Sequence, residues 1–128
     1  MKKTLLFLTI GVLAAMLLAA CGGGEEAKEP EPAVSKGDVV AGEKNFQVCA
    51  ACHGPDAKGL PNLGKDMTTS EFIKGLTDDE LVEFIKTGRP IDDPANTTGV
   101  EMPAKGANPA FTDEDLYDIV AYIRTVID

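Results

Sequence analysis

Apolar positions near the end of the chain recur every three or four residues, the period of a helix that packs one face on a core. This stripe consists of Leu116, Ile119, Val120, Ile123 and Ile127. Thr112 precedes it and is followed by three acidic residues, which is typical of a helix N-cap, with Asp115 in the third helical position. The pattern therefore predicts a helix that begins after Thr112.

A second segment repeats this arrangement 35 positions earlier, at Thr77. Glu80 completes a predicted capping box with Thr77, because it is three residues further along and can accept from the backbone N–H of the cap. Gly88 follows the last apolar position and is expected to end this helix, since glycine is the preferred residue just beyond a helix C-terminus.

A third helix is predicted from about Asp38 into Cys49, and a short helical turn is predicted after Ser70. The helical spacing in the first of these segments is that of Val39, Gly42 and Phe46. Runs of alternating β-branched residues, the signal for strands, do not occur. The sequence therefore predicts an all-α fold.

The N-terminus has the order of a bacterial secretory signal. Lys2 and Lys3 precede an apolar run over residues 5–18, which closes on the sequence LAAC. These four residues resemble a lipobox, in which Cys21 becomes the lipid-modified first residue of the mature protein. An uncleaved anchor is the alternative, but the run is shorter than the roughly 20 residues of a spanning helix. We expect residues 1–20 to be a lipoprotein signal peptide and the protein to be extracytoplasmic and membrane-anchored.

Two further regions follow the signal. Residues 21–34 are rich in Gly, Glu and Pro and contain no aromatic residue, so we expect a flexible acidic tether. Residues 35–128 are predicted to form one folded domain. With 5% aromatic residues and no Trp in the whole chain, this domain has a thin core, and a buried apolar cofactor would supply the missing volume.

Cys49, Cys52 and His53 form a C-x-x-C-H motif, the attachment signature for a c-type haem. Two thiols one helical turn apart can bond to the two vinyl groups on one edge of a porphyrin. The imidazole that follows then lies beneath the iron as its proximal ligand. The motif predicts one covalently bound haem c, with Cys49 and Cys52 as the thioethers and His53 on the iron.

Three alternatives to the haem interpretation are weaker. A thioredoxin-like redox pair needs a βαβ context, which the sequence does not predict. A zinc site needs four ligands, and the chain has no second His and only one other Cys, which is assigned to the lipid. A disulfide between residues three apart would be strained and would leave His53 without a role.

Residues 35–128 resemble a class I c-type cytochrome over their whole length and in the same order. Gly42 and Phe46, before the haem motif, match the glycine and the aromatic residue of that family's first helix. Tyr122 in the last helix is the expected partner at this helix crossing. The resemblance implies a cytochrome c-like fold, with three main helices and short turns around one covalent haem.

The resemblance also implies what orients the proximal histidine. The segment GLPNLG, residues 59–64, resembles the Gly-Pro-Asn-Leu loop of the family. In that family the proline carbonyl accepts the other imidazole N–H, which assigns this role to Pro61 beside His53.

The sixth iron ligand is expected to be Met102. The chain has one His, and after signal removal only Met67 and Met102 offer a thioether. Met102 is followed by a proline and precedes the terminal helix, where class I cytochromes place the axial methionine. Met67 lies 14 positions after His53, in a loop expected to cover the proximal side, and is interpreted as a core residue.

Other polar side chains near the expected cofactor have two interpretations each. Asn96 and Thr98 would either hydrogen-bond the methionine sulfur or a haem propionate, or have no such role. Arg89 is either a propionate partner or a cation at a helix C-terminus. The lysines that flank the loops at the haem edge form either a basic collar or a scatter of solvated charges. These lysines are Lys58, Lys65 and Lys105.

A haem with both axial positions filled by His53 and Met102 is suited to outer-sphere one-electron transfer, since small molecules do not readily reach the iron. The sequence therefore predicts an electron carrier and not an enzyme. The alternatives are a haem c subunit fixed in a larger oxidoreductase complex, and a small peroxidase or sensor whose Met102 is labile.

The expected partners are redox proteins. The family resemblance implies a quinol-oxidising complex or dehydrogenase as donor and a terminal oxidase or reaction centre as acceptor, in a respiratory or photosynthetic chain. The net charge of −9 disfavours nucleic acid and anionic lipid head groups as binding targets. The membrane contact is expected through the lipid on Cys21, and the domain is expected to be a monomer.

Overall fold

Helices make up the regular structure of residues 36–128, the part of the chain that the computed structural model describes. They are α1 (Val39–Phe46), α2 (Ala50–His53), α3 (Glu71–Lys74), α4 (Asp78–Thr87), a 3₁₀-helix (Ala104–Ala107) and α5 (Asp113–Val126). Apart from one isolated antiparallel bridge between Arg89 and Met102, this part of the chain contains no β-structure. The all-α prediction with three main helices, α1, α4 and α5, is confirmed.

The helix starts follow from the capping residues. Thr77 accepts from the backbone N–H of Glu80, and the Glu80 carboxylate accepts from the Thr77 N–H at 2.8 Å. Thr112 and Asp115 make the same reciprocal pair at the start of α5, with the second bond at 2.9 Å. The side chain of Ser70 likewise accepts at the start of α3. All three predicted starts are confirmed, because each cap satisfies backbone donors that lack a partner within the helix.

The first helix is shorter than predicted. It ends at Phe46, where the backbone changes to i→i−3 hydrogen bonds such as that from the Val48 N–H to the Asn45 carbonyl at 3.3 Å. The chain becomes α-helical again in α2, which begins after Cys49. This short helix contains Cys52 and His53 of the C-x-x-C-H motif, and Cys49 is its N-cap residue.

The helices α1 and α5 cross in close contact at Gly42. A Cβ atom at this position would lie 1.9 Å from the Asp118 carbonyl oxygen and 3.0 Å from Tyr122 Cβ. One turn further along α1, the buried ring of Phe46 packs on Tyr122 with 5.1 Å between ring centroids. The predicted role of Gly42, with Tyr122 as its partner, is confirmed.

A half-buried cation, Arg124, joins α5 to the elements that precede and begin α4. Arg124 Nε donates to Asp78 at 2.9 Å, and its Nη atoms donate to the carbonyls of Ile73 and Leu76 at 2.8 and 2.6 Å. A guanidinium carries five N–H donors in a rigid plane, and here these donors fix three acceptors at once. This arrangement sets α3 and α4 against α5, where they form one wall of the cleft described below.

Several predictions concern residues outside the described range. These are the signal peptide over 1–20, the lipid-modified Cys21 and the tether over 21–34. Within residues 36–128, no helix is both long and apolar enough to cross a membrane.

Candidate cofactor-binding site

An apolar cleft runs through the domain and brings the predicted site residues together. Cys49, Cys52 and His53 line it from α2, and Met102 lines it from the loop before the 3₁₀-helix. Its volume is about 1100 Å³, a figure that includes open solvent at the mouth. Apolar side chains from α3, α4 and α5, such as Ile73, Phe84 and Ile119, form much of its wall, so the cleft suits an apolar ligand.

The loop after α2 holds the C-terminal end of this short helix in place. The Leu60 N–H donates to the Cys52 carbonyl at 3.0 Å, and the Gly59 N–H donates to the His53 carbonyl at 2.7 Å. Carbonyls at a helix end need such partners, because they have none within the helix. The backbone of the loop that directly follows α2 therefore fixes the motif residues.

The imidazole of His53 is oriented by the carbonyl of Lys65 and not by that of Pro61. His53 Nδ1 lies 2.9 Å from the Lys65 carbonyl oxygen, which can only accept, so Nδ1 carries the proton. Pro61 is exposed and does not line the cleft. The predicted role of Pro61 is therefore wrong.

The turn around Pro61 explains this correction. The Leu60 carbonyl accepts from the N–H groups of both Leu63 and Gly64, at 3.0 and 3.2 Å, and Asn62 has a φ of 60°. The chain therefore coils once between 60 and 64, with Pro61 on the outside. The carbonyl that next reaches the imidazole is that of Lys65.

The protonation of the motif side chains suits metal and thioether chemistry. Burial lowers the pKa of His53, and the hydrogen bond with the Lys65 carbonyl opposes this only in part. The imidazole is therefore neutral near pH 7, with Nε2 left as a lone-pair donor, as a metal ligand requires. Burial raises the pKa of Cys49 to about 11, which keeps this residue in the thiol form. Cys49 and Cys52 are not joined to each other.

Met102 is held by its backbone. Its N–H donates to the Arg89 carbonyl at 2.9 Å, and its own carbonyl accepts from the Arg89 N–H at 2.8 Å. Gly88, next to Arg89, has a φ of 74°, and a Cβ there would lie 2.2 Å from the Met102 carbonyl oxygen. The predicted end of α4 at Gly88 is confirmed, and the same glycine admits the segment that carries Met102.

Met67 lines the same cleft, so contact with the cleft does not by itself separate the two thioethers. Met67 is only 8% exposed and belongs to the hydrophobic core cluster, whereas Met102 packs against the edge of that cluster. This placement agrees with the interpretation of Met67 as a core residue. The assignment of Met102 to the iron stays a prediction.

Arg89 lies in the cleft wall and packs against two aromatic rings, Phe72 and Phe84, which also contact each other with 5.0 Å between their centroids. Its guanidinium carbon is 4.8 Å from the ring centroid of Phe72 and 4.9 Å from that of Phe84, and its side chain is 13% exposed. Arg89 Nε is 3.4 Å from an Asp93 carboxylate oxygen but lacks hydrogen-bond alignment, so this buried N–H has no hydrogen-bond partner within residues 36–128. A buried N–H without an acceptor destabilises the fold, and the anionic edge of a cofactor would supply that acceptor.

The polar loop residues act within the protein. The Asn96 amide donates to the carbonyls of Pro90 and Val100 at 3.0 and 2.8 Å, and its oxygen accepts from Thr98 and Gly99. Both amide protons are thus used on backbone carbonyls, which favours the interpretation in which Asn96 has no contact with the methionine sulfur or a propionate. Asn96 instead stabilises the loop before Met102.

The lysines do not form a free basic collar. Lys65 Nζ donates to the Ala95 carbonyl at 2.8 Å, and Lys105 Nζ donates to the Phe111 carbonyl at 2.6 Å. Lys58 is exposed and its ammonium makes no hydrogen bond or ion pair with residues 36–128. Two of the three charges are therefore used to hold loops, which sequence reasoning missed because no sequence pattern pairs a lysine with a distant carbonyl.

The apolar surface of the cleft fits a haem, and so do the side chains that could bind one. Several large apolar side chains that line it are exposed, including Phe72 at 45%, Leu63 at 36% and Val100 at 36%. An apolar patch of this kind on a small soluble domain indicates a surface that a ligand covers. Two thiols, a neutral imidazole, two thioethers and an unpaired guanidinium N–H line the same space. No group of three or more His, Cys, Asp or Glu side chains in the described range could hold a bare metal ion.

Comparison with known proteins agrees with this site. Residues 39–126 match the protein family described as Cytochrome c. Cytochrome c-551 of Bacillus subtilis (strain 168) is 37% identical over 95 residues, covering 70% of this chain and 79% of that protein. Cytochrome c-554(548) of Halomonas halodenitrificans is 33% identical over 87 residues, covering 67% and 93%. Cytochrome c4 of Azotobacter vinelandii is 33% identical over 92 residues, and the chain spans only 41% of it.

Proposed function

Because the chain belongs to the cytochrome c family, we propose that it carries single electrons between redox proteins, with His53 and Met102 as the axial ligands of its haem. Covalently bound haem c is the cofactor of this family, and Cys49 and Cys52 have the spacing that attaches it. When bound, haem c supplies a one-electron iron(III)/iron(II) couple. The protein binds the cofactor, orients the ligands and excludes water.

One observation carries this proposal. The C-x-x-C-H residues and Met102 line the same apolar cleft although 49 positions separate His53 from Met102. The Lys65 carbonyl fixes the imidazole and leaves Nε2 free, and the backbone pair with Arg89 fixes the segment of Met102. Ligands held in this way need little rearrangement when the charge at the site changes, which suits electron transfer.

The roles of the other cleft residues follow from their contacts. The guanidinium of Arg89 would donate its unpaired N–H to a propionate, with Phe72 and Phe84 holding it flat. The apolar lining would keep the site at low dielectric, so each fixed charge near it would act more strongly than in water.

The optical spectrum of the holoprotein tests the axial ligands. In the oxidised form we expect a weak far-red band that is lost on reduction, absent in Met102→Ala and kept in Met67→Ala. Loss of the band in Met67→Ala alone would transfer the ligand role to that residue. Ready binding of carbon monoxide to the ferrous wild type would show an open sixth position and would favour a function as a peroxidase or sensor.

A fixed subunit of a larger complex is less favoured than a carrier. The alignment covers 93% of cytochrome c-554(548) of Halomonas halodenitrificans, so that protein is little longer than this domain. Gel filtration of the holoprotein and co-purification from membranes test this point. A single species of monomer size that is removed from membranes by mild detergent, without partner subunits, would agree with a carrier.

The N-terminal sequence supports attachment to a membrane from outside the cytoplasm. Residues 1–20 have the order of a secretory signal, and Cys21 stands at the position that a lipobox modifies. Stable membrane anchoring generally needs a second acyl chain or another membrane contact besides the first chain, and bacterial lipoproteins meet this need with several acyl chains. Cys21→Ser should release the haem protein from the membrane fraction into the soluble extracytoplasmic fraction, and retention of the variant in membranes would favour an uncleaved anchor.

The proposed partners are redox proteins of a respiratory or photosynthetic chain, a quinol-oxidising complex or dehydrogenase as donor and a terminal oxidase or reaction centre as acceptor. The net charge of −9 supports protein partners with basic docking surfaces and opposes nucleic acid. Stopped-flow reduction by candidate donors at increasing ionic strength tests this, since attraction between opposite charges weakens with salt.

A further inference from the structure

The segment 90–101, here called the methionine loop, leads into Met102 and is held mostly by itself. Asn96 binds the carbonyls of Pro90 and Val100 and so closes the loop internally. At the base of the loop, Arg89 and Met102 exchange both backbone hydrogen bonds. Neither set of bonds fixes the body of the loop to the rest of the domain.

One hydrogen bond makes that connection. Lys65 Nζ donates to the Ala95 carbonyl at 2.8 Å, across 30 positions of sequence. Among the hydrogen bonds and ion pairs of residues 36–128, it alone joins the methionine loop to residues outside 89–102. The loop is otherwise attached to the domain only by packing and by its two ends.

The same residue also contacts the proximal side. The Lys65 carbonyl accepts the Nδ1–H of His53 at 2.9 Å, and Lys65 itself lines the cleft. Its backbone therefore contacts the histidine, and its side chain reaches the loop that carries the methionine. Lys65 spans the mouth of the cleft between the two predicted ligands.

We propose that Lys65 is a positioning residue that holds the methionine loop against the histidine side of the cleft and so keeps Met102 in place. The proposal rests on the proposed function, in which Met102 is the sixth ligand. An ammonium donating to a carbonyl is a charge-assisted bond and stronger than a neutral one, although Lys65 and Ala95 are both exposed. Loss of the side chain removes this bond and leaves the backbone carbonyl on His53 unchanged.

The experiment compares three variants of the full-length holoprotein. Lys65→Met removes the ammonium and keeps the length of the side chain, and Lys65→Arg keeps a cationic donor. Lys58→Met is the matched control, because Lys58 is an exposed lysine of the same loop whose ammonium makes no hydrogen bond within residues 36–128. Since both lysines are exposed, none of the variants should prevent folding.

Amide hydrogen exchange measures the attachment of the loop directly. The N–H groups of Ala95 and Asn96 are hydrogen-bonded within the methionine loop, at 2.7 and 2.8 Å, and report on its opening. We expect exchange at these amides to be several-fold faster in Lys65→Met, unchanged in Lys58→Met and close to wild type in Lys65→Arg. Equal exchange in Lys65→Met and Lys58→Met would overturn the proposal.

Two spectroscopic measurements then follow the methionine. In Lys65→Met the far-red band should disappear at a lower urea concentration than the helical circular dichroism, and ferrous carbon monoxide binding should be several-fold faster. A band as resistant as that of Lys58→Met would also count against the role of Lys65. If the wild type lacks the band, the proposed Met102 ligation fails, and the exchange data alone decide whether Lys65 holds the loop.

Discussion

Arg89 and Met102 exchange both of their backbone hydrogen bonds, at 2.8 and 2.9 Å, in the only β-type pairing within residues 36–128. This pair fastens the end of α4 to the segment before the 3₁₀-helix. The side chain of Arg89 packs against two aromatic rings on the same cleft that Met102 lines. A predicted ligand and a predicted propionate partner are therefore fixed by one piece of backbone.

Gly88→Ala should displace Met102. The φ of 74° and ψ of −163° at Gly88 belong to a region that is open essentially to glycine, at a cost of about 1–3 kcal/mol for other residues. The added Cβ would also meet the Met102 carbonyl oxygen at 2.2 Å. We expect a lower free energy of unfolding together with a weakened far-red band, measured by urea titration and absorption spectroscopy.

Gly99→Ala separates the two effects that Gly88→Ala combines, which are backbone strain and the contact of the new Cβ with Met102. Gly99 has a φ of 72°, but a Cβ there would have no atom within 4 Å. We expect it to lose stability through backbone strain alone and to keep the far-red band. Equal loss of the band in both variants would show that the contact between Gly88 and Met102 does not matter.

Arg89→Gln should lower the reduction potential. A cation near the site favours the form that has gained an electron, and its effect is large where water is excluded. We expect a decrease on the order of 59 mV, which is a tenfold change in equilibrium constant for one electron. Arg89→Lys should not restore the potential fully, because an ammonium lacks the planar group that packs against the two rings.

Potentiometric titration of the holoproteins measures this change. Lys74→Gln is a suitable control, since Lys74 is a cation paired with Glu71 at 3.1 Å and does not line the cleft. A potential shift in Lys74→Gln as large as that in Arg89→Gln would mean that the net charge, and not the position of Arg89, sets the value.

Gly42→Ala should loosen the crossing of α1 and α5. The new Cβ would lie 1.9 Å from the Asp118 carbonyl oxygen, which is backbone and cannot turn away. Overpacking of this kind costs about 1–3 kcal/mol or more, which outweighs the roughly 1 kcal/mol that alanine gains over glycine within a helix. Chemical unfolding should therefore show a clear net loss of stability.

Gly75→Ala is the matched control for this substitution. Its nearest atom would be the Glu71 carbonyl oxygen at 3.3 Å, and its φ of −76° suits any residue. Alanine there should be neutral or stabilising by about 0.4–1 kcal/mol, because it reduces the conformational entropy of the unfolded chain. If both variants lose the same stability, the close contact at Gly42 is not the cause.

The two capping boxes predict a loss of stability in acid. Hydrogen bonds from the Thr77 backbone, then from its hydroxyl, lower the pKa of Glu80, and those from Thr112 lower the pKa of Asp115 in the same way. Groups with a lowered pKa in the folded state stabilise it above their unfolded pKa, about 4.3 for Glu and 3.9 for Asp. This contribution is lost as the pH falls through the lower, folded-state pKa.

Thermal unfolding between pH 6 and pH 3 checks the acid effect. The double variant Glu80→Gln and Asp115→Asn keeps the hydrogen-bond acceptors but removes the titration, so its melting temperature should depend less on pH than that of the wild type. Glu43→Gln with Glu114→Gln removes two carboxylates whose oxygens accept no hydrogen bond within residues 36–128. That pair should leave the pH dependence nearly unchanged, and equal effects of the two double variants would contradict the assignment.

Local chemistry made much of the fold predictable. The starts of α4 and α5 depend on Thr77 and Thr112, whose side chains act on backbone N–H groups three residues away, so sequence spacing is sufficient. The C-x-x-C-H motif likewise fixes its own geometry within one helical turn. Gly42 was predictable only through the family resemblance, because its contact with α5 is distant in sequence.

The errors concern contacts that depend on how a loop turns. The carbonyl on His53 belongs to Lys65 because residues 60–64 coil once, and the direction of a carbonyl depends on every φ and ψ before it. The packing of Arg89 against Phe72 and Phe84 has a similar origin, since α3 and α4 must first be set against each other. The link from Lys65 to Ala95 joins two irregular segments, for which sequence periodicity gives no information.

The contact of α1 with α5 has a consequence for the order in which the chain folds. The Asp38 N–H donates to the Asp118 carboxylate across 80 positions, and Gly42 meets the same part of α5. Contacts between distant residues form late, because the chain between them must first be closed into a loop. Cys49 and Cys52 should therefore react rapidly with a thiol reagent in a chain truncated at Phe111. The packing of the 14 residues of α5 should therefore determine when the haem-attachment segment ceases to be open to enzymes and reagents.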